Sequence, residues 1–262
     1  MTRLLLVAAT TALVAIVAML ATAIAARRAG RVSVVDTTWG LALAAEAIAA
    51  ALAGDGDLLR RVLLAVLVSL WGVRLAWHMH RRNHAADEDP RYTKLLQGGS
   101  ALRKVYLPQG VAVWLISLPV QVNAVADEQL TVVGWLGVVL WAVGIAFEAV
   151  GDAQLAAYKR DRDRGPVLDR GLWRYTRHPN YFGDACVWWG IWLVGAWPWP
   201  GLLTVIGPVA MTYFLVFATG ARLLEQTMMQ RPGYREYAAR TAMFVPNMPR
   251  RPRRSPSGTD GA

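Results

Sequence analysis

Asn180 and Asp184 stand four residues apart where an apolar run begins, and Arg174, Arg177 and His178 come just before it. Side chains four apart lie on one face of a helix. Cations arriving at a helix start, followed by polar groups on one face, suit a phosphate-bearing cofactor held against a bilayer. Glu148 and Asp152 repeat the spacing in the preceding apolar run, and Lys159 lies seven beyond Asp152, near the same face. In the tail, Arg222 and Glu225 are spaced to share a helix face. Tyr234 and Tyr237 form an aromatic pair suited to stacking on an adenine or nicotinamide ring, or equally to packing the tail onto the membrane surface. No Gly-x-Gly-x-x-Gly follows a strand, so any nucleotide must be held between helices and loops.

Ionisable groups within apolar runs are costly and normally face a bundle interior or water. Besides Glu148, Asp152 and Asp184, this chain has Asp36, Glu46 and Arg74 in such runs. They could line a cavity, or they could form pairs such as Arg74 with Asp36 that only fix packing. His78, His80 and His84 have a spacing possible for zinc or iron but lie in an arginine-rich loop without a thiolate or carboxylate set, so no metal is expected. His78, at a membrane boundary, is the better candidate as a proton donor or carbonyl-binding group.

The elements that must position these residues are apolar segments long enough to span a bilayer. Of the 262 residues, 55% are hydrophobic, and they come in long runs rather than amphipathic stripes. Seven segments follow: 4–26, 34–53, 58–77, 105–124 (with a kink at Pro119), 130–158, 181–197 and 202–221. Residues 94–104 read as a surface helix broken by Gly98-Gly99. The expectation is an all-α, polytopic membrane protein with one integral domain over 1–249 and a disordered basic tail over 250–262. The single cysteine, Cys186, forms no disulfide framework.

A net charge of +10 would suggest nucleic acid in a soluble protein. Here the cations cluster at the ends of apolar runs, so topology and anionic membrane lipid account for them, and no nucleic-acid partner is expected. With the amino terminus outside, the outer segments hold only Arg3, Arg60 and Arg61, and the other 25 of 28 lysines and arginines fall at the inner face. That asymmetry places the carboxyl terminus, and the segments 78–104, 159–180 and 222–262, in the cytosol.

Residues 171–184, Gly-Leu-Trp-Arg-Tyr-Thr-Arg-His-Pro-Asn-Tyr-Phe-Gly-Asp, resemble the signature of the steroid 5-alpha-reductase and sterol reductase superfamily. Arg222-x-x-Glu225, Tyr234-x-x-Tyr237 and Phe244-Val245-Pro246 look like its carboxyl end. Val35-Asp36-Thr37-Thr38-Trp39-Gly40 and residues 74–91 are similar to an uncharacterised bacterial branch, hence an expected place in a bacterial inner membrane. The resemblance implies an NADPH pocket open to the cytosol and a lipid-side entrance for a lipophilic substrate. By position, Asp152, Lys159, Asn180, Tyr181, Asp184, Arg222 and Glu225 would contact the cofactor, with Arg174, Arg177 and His178 at its phosphates. Asp36 and His78 take the places of a glutamate and a tyrosine that bind the substrate carbonyl in 5-alpha-reductases. The implied reaction is reduction of a carbon–carbon double bond conjugated to a carbonyl. Isoprenylcysteine carboxyl methyltransferases share the Arg-His-Pro-x-Tyr motif, so a methyltransferase using S-adenosylmethionine is the alternative, and a non-catalytic lipid-binding protein a third reading. Oligomeric state is not legible in the residues.

Overall fold

A computed structural model describes residues 1–83, 87–97, 99–197, 199–218 and 220–248. His84, Gly98, Pro198 and the basic tail at 250–262 lie outside the described residues. Apart from one isolated bridge, these residues form helices and connecting turns. In lipid a backbone finds no water to bond, so a long apolar run must satisfy its own peptide groups, and the helix does so. Five segments are long and apolar enough to cross a membrane: α1 (Thr2–Ala29), α2 (Val34–Ala53), α3 (Leu58–Asn83), α7 (Val132–Arg160) and the run Gly201–Met228. Leu13, Ile16, Val17, Leu20 and Ile24 of α1 stay exposed, as a lipid-facing helix requires.

The other apolar segments are more broken than their composition suggests. In place of one helix over 105–124 there are a π-helical turn (Leu102–Tyr106), α5 (Leu107–Ile116) and α6 (Leu118–Asn123). The break falls at Ser117, two residues before Pro119, which has no N–H to continue the ladder. The surface helix expected over 94–104 is replaced by α4 (Pro90–Leu95), begun by a proline suited to a first helical turn. The segment 202–221 divides into a 3-10 turn (Gly201–Val205), α9 (Ile206–Tyr213), a π-helical turn (Phe214–Ala218) and α10 (Ala221–Met228). The remaining elements are a 3-10 turn at Gly171–Arg174, α8 (Pro179–Gly195) and α11 (Tyr234–Arg240).

The chain divides into two compact units. Unit 1 is Met1–Ala142 with Cys186–Thr212, and unit 2 is Val143–Ala185 with Tyr213–Ala262. Unit 1 is built on α2 packed against α1 and α3, with α5 on α1. Glycine brings α2 and α3 together: a methyl at Gly40 would lie 2.3 Å from the Gly72 carbonyl oxygen. Trp71 and Trp188, both fully buried, meet edge to face at 5.2 Å. A polar knot closes one end. Asp57 Oδ1 accepts from Arg60 N (2.8 Å) and so caps α3, while Arg61 donates to the Ala51 and Gly54 carbonyls that end α2. The buried Arg60 donates to Asn123 Oδ1 (3.2 Å) and the Gln129 carbonyl (2.7 Å), and Asn123 donates in turn to the Gly195 carbonyl (3.0 Å).

Candidate functional site

Unit 2 gathers most of the residues that the sequence singles out. Gly171 has φ +62°, and a methyl there would lie 2.4 Å from the Gln154 amide, so glycine is needed to lay this turn on α7. Leu172 N donates to Gln154 Oε1 (3.0 Å) and Trp173 Nε1 to the Gly151 carbonyl (3.1 Å). The chain then runs beside the tail. Thr176 bridges Ala242, Arg177 N donates to the Ala242 carbonyl (2.9 Å), and Thr176 Oγ1 donates to the Phe244 carbonyl (2.7 Å). Phe244-Val245-Pro246 is thereby tied to the Arg-His-Pro segment.

Glu225 is the hub. Arg177 meets it as a fork, with Nε 3.0 Å from Oε1 and Nη2 2.9 Å from Oε2. His178 Nε2 lies 3.0 Å from the same Oε1, and the Tyr234 hydroxyl donates to it at 2.7 Å. Arg177 Nη1 also donates to the Ala238 and Thr241 carbonyls (2.8 and 2.7 Å), holding the open end of α11. Arg177, His178, Glu225, Tyr234 and Tyr237 are all buried. Burial first, and then the bond to Glu225, raises the Tyr234 phenol above its usual range; burial does the same to Tyr237, whose hydroxyl donates to the Trp173 carbonyl at 2.5 Å.

These contacts show where three sets of the expected residues lie. Arg177 and His178, expected at cofactor phosphates, bond to Glu225, and Arg177 also to the α11 carbonyls, buried acceptors that need donors. The Tyr234 and Tyr237 rings meet each other edge to face at 5.5 Å, and their hydroxyls donate to Glu225 Oε1 and the Trp173 carbonyl. Arg222 and Glu225 diverge in burial, with Arg222 exposed and its guanidinium 4.4 Å from the Phe217 ring centroid.

The remaining unit 2 candidates form a second set. Asn180 Nδ2 donates to Asp152 Oδ1 (3.3 Å), and both are half-buried. Tyr181 stacks on His178 at 5.5 Å with planes 6° apart. Glu148 and Asp184 are buried. Lys159 and Arg174 are exposed cations.

Asp36 and His78 belong to unit 1. Asp36 Oδ1 accepts from the Tyr92 hydroxyl (2.6 Å), and Oδ2 pairs with Arg82 Nη2 (3.4 Å). Tyr92 escapes a reading of the sequence, because it sits 56 residues from Asp36 in a polar stretch with no periodicity, on the short α4. The same stretch supplies Glu88, whose carboxylate accepts from Val32 N and from Ser33 N (3.0 Å) and thus holds the turn that leads into α2. His78 is half-buried and His80 exposed, both on α3.

The described residues define a polytopic, all-helical membrane protein in which a buried Arg-His-Glu-Tyr cluster ties the tail to the start of α8. Residues 22–241 match the family described as protein of unknown function DUF1295, the steroid 5-alpha-reductase-like family, and the chain belongs to it. It is 35% identical over 68 residues to the steroid 5-alpha-reductase DET2 of Arabidopsis thaliana, a stretch that covers 26% of each chain. It is also 23% identical over 223 residues to an uncharacterized protein of Schizosaccharomyces pombe, covering 72% of this chain and 64% of that one. The chain thus spans 64% and 26% of the lengths of these two curated relatives. No solved structure matches it.

Proposed function

We propose that this protein is a membrane reductase that uses NADPH to saturate a carbon–carbon double bond conjugated to a carbonyl in a lipophilic substrate. The observation that supports it most is family membership over residues 22–241 together with the stretch similar to a steroid 5-alpha-reductase.

The residues of unit 2 suit the cofactor in type. A dinucleotide needs cations for its phosphates and acceptors for its ribose hydroxyls. Lys159, Arg174 and Arg222 are exposed cations in unit 2, and the Asp152–Asn180 pair offers both acceptor and donor. Those cations would hold the phosphates, and Asp152, Asn180, Tyr181, Glu148 and Asp184 would hold the ribose and nicotinamide. Arg177, His178, Glu225, Tyr234 and Tyr237 would act as positioning residues, keeping tail and loop in place. Bound NADPH supplies the hydride; the protein supplies position and electrostatics. For the substrate carbonyl, unit 1 offers the Tyr92 hydroxyl oriented by Asp36, and His78. A donor to that oxygen stabilises the charge that develops on it.

The reading extends to topology. Seven spans arise if α5–α6 and α8 cross in addition to the five long segments. The lysine and arginine asymmetry then puts the amino terminus outside and the carboxyl terminus in the cytosol, within a bacterial inner membrane and one integral domain over 1–249. Membrane lipid would surround it, and its oligomeric state is left open.

The deciding experiment titrates purified full-length protein with NADPH and, separately, with S-adenosylmethionine. Saturable binding of NADPH is the expected result. Tight binding of the methyl donor alone would replace the reductase with a methyltransferase. Binding of neither, with a lipid that co-purifies, would favour a non-catalytic lipid-binding protein.

A further inference from the structure

We propose that the carboxyl end of α1 binds an anionic phospholipid, with one acyl chain in a groove over Ala21, Ile24 and Ala25 and the phosphate on Arg28. The site rests on α1 as a segment able to cross a membrane, and it requires neither NADPH nor an enone.

α1 turns Thr22 and Ala26 into unit 1, where Thr22 Oγ1 donates to Thr38 Oγ1 of α2 at 2.8 Å. The groove lies on its outward side. There the exposed side chains are large as far as Leu20, with Leu13, Ile16 and Val17 before it, and the exposed Ala21, Ala25 and Ala29 then follow at every fourth place. The drop in bulk leaves a groove of about 580 Å³ lined by Ala21, Ile24, Ala25, Arg28 and Ala29. A groove of that size suits a ligand, and apart from Arg28 its lining is hydrocarbon. Water finds no partner on such a surface, whereas a hydrocarbon chain gains contacts by filling it.

Arg28 ends the groove. It is exposed, and no hydrogen bond or ion pair joins its side chain to an acceptor among the described residues. Arg27 stands beside it in the last turn of α1, Arg31 follows just past the helix, and α1 has no aspartate or glutamate. Arg31 donates to the Asn83 carbonyl, which leaves its charge in place. The acids of the next turn do not pair with Arg28: Glu88 accepts from Val32 N and Ser33 N, and Asp36 holds Tyr92 and Arg82. The dipole of α1 accounts for cations at its last turn, but not for a groove that runs up to one of them. Three arginines within residues 27–31 and no acid among them favour a headgroup of net negative charge, whereas the ammonium of phosphatidylcholine would add a further cation. Arginine suits the place, since its stem can lie along apolar surface while its guanidinium meets two phosphate oxygens.

The test places the full chain in vesicles of equal parts phosphatidylcholine and phosphatidylglycerol, then takes it into detergent for native mass spectrometry. The wild-type chain should retain phosphatidylglycerol in preference to phosphatidylcholine. Arg28→Gln should weaken that retention by about tenfold or more, because a charge-assisted contact is lost. Ala25→Leu keeps every cation but fills the groove, and should also release the lipid. Both side chains are exposed, so both variants should melt at the wild-type temperature in phosphatidylcholine. The stabilisation that phosphatidylglycerol gives the wild-type chain should be missing from both. Inorganic phosphate should leave the lipid in place. Equal retention of the two lipids, or wild-type retention in Arg28→Gln, overturns the proposal. Wild-type retention in Ala25→Leu overturns it too, by reducing the site to surface charge. Displacement by inorganic phosphate would make it a site for a free anion, and a dimer that Ala25→Leu dissociates would give the groove to a second copy of the chain; either result overturns the lipid.

Discussion

Arg177 and Glu225, 48 residues apart in the chain, meet through a hydrogen bond from Nε to Oε1 at 3.0 Å and an ion-pair contact of Nη2 with Oε2 at 2.9 Å. The same guanidinium holds two carbonyls at the end of α11. A planar fork with five donors can serve a carboxylate and two carbonyls together, and a lysine ammonium cannot. Arg177→Lys should therefore loosen the tail, and Arg177→Ala, which strands a buried carboxylate, should cost about 3–5 kcal/mol. Thermal unfolding, with limited proteolysis of residues 221–248, measures both.

Tyr234 adds a pH dependence. Its phenol is raised in the folded chain and ordinary, near about 10, in the unfolded one. A raised folded value means that its contribution is fully present below the unfolded value and is lost as pH climbs above it. Stability should fall on alkaline titration beyond about pH 10, and Tyr234→Phe should flatten that fall. At neutral pH the same variant should lose about 1.5–3 kcal/mol for its bond to a charged acceptor. Denaturant melts at several pH values separate the two effects.

The exposed cations should behave differently from the buried one. Arg174→Gln or Lys159→Gln should weaken NADPH binding by about tenfold or more, since each removes a charge-assisted contact of about 1.5–3 kcal/mol. Their melting temperatures should stay at the wild-type value, because both side chains are exposed. Unchanged NADPH affinity in both variants would remove them from the cofactor site.

On an identified substrate, Tyr92→Phe and Asp36→Asn should lower turnover by about a hundredfold with NADPH affinity unchanged. His78→Ala is expected to act in the same direction. Full turnover in all three would dissociate this group from the carbonyl.

Gly40→Ala should separate α2 from α3, because the new methyl would sit 2.3 Å from a backbone oxygen that cannot yield cheaply. Overpacking of this kind costs about 1–3 kcal/mol, readable as a lower melting temperature.

The long apolar runs already determined five segments able to cross a membrane, because a segment in lipid must bond its own backbone and composition shows where such segments lie. Arg177, His178, Asn180, Asp184 and Glu225 were likewise legible as unusual: charges and amides at the edge of apolar runs are costly enough to stand out. What they bond to was not legible. Glu225 could take the fork of Arg177 only once the chain returned 48 residues later. Tyr92 reaches Asp36, and Glu88 the start of α2, across more than 50 residues of chain. Spacing along one helix sets which side chains share a face, but pairing between distant segments depends on how backbones pack and which buried groups still need a partner, and tertiary structure alone decides that.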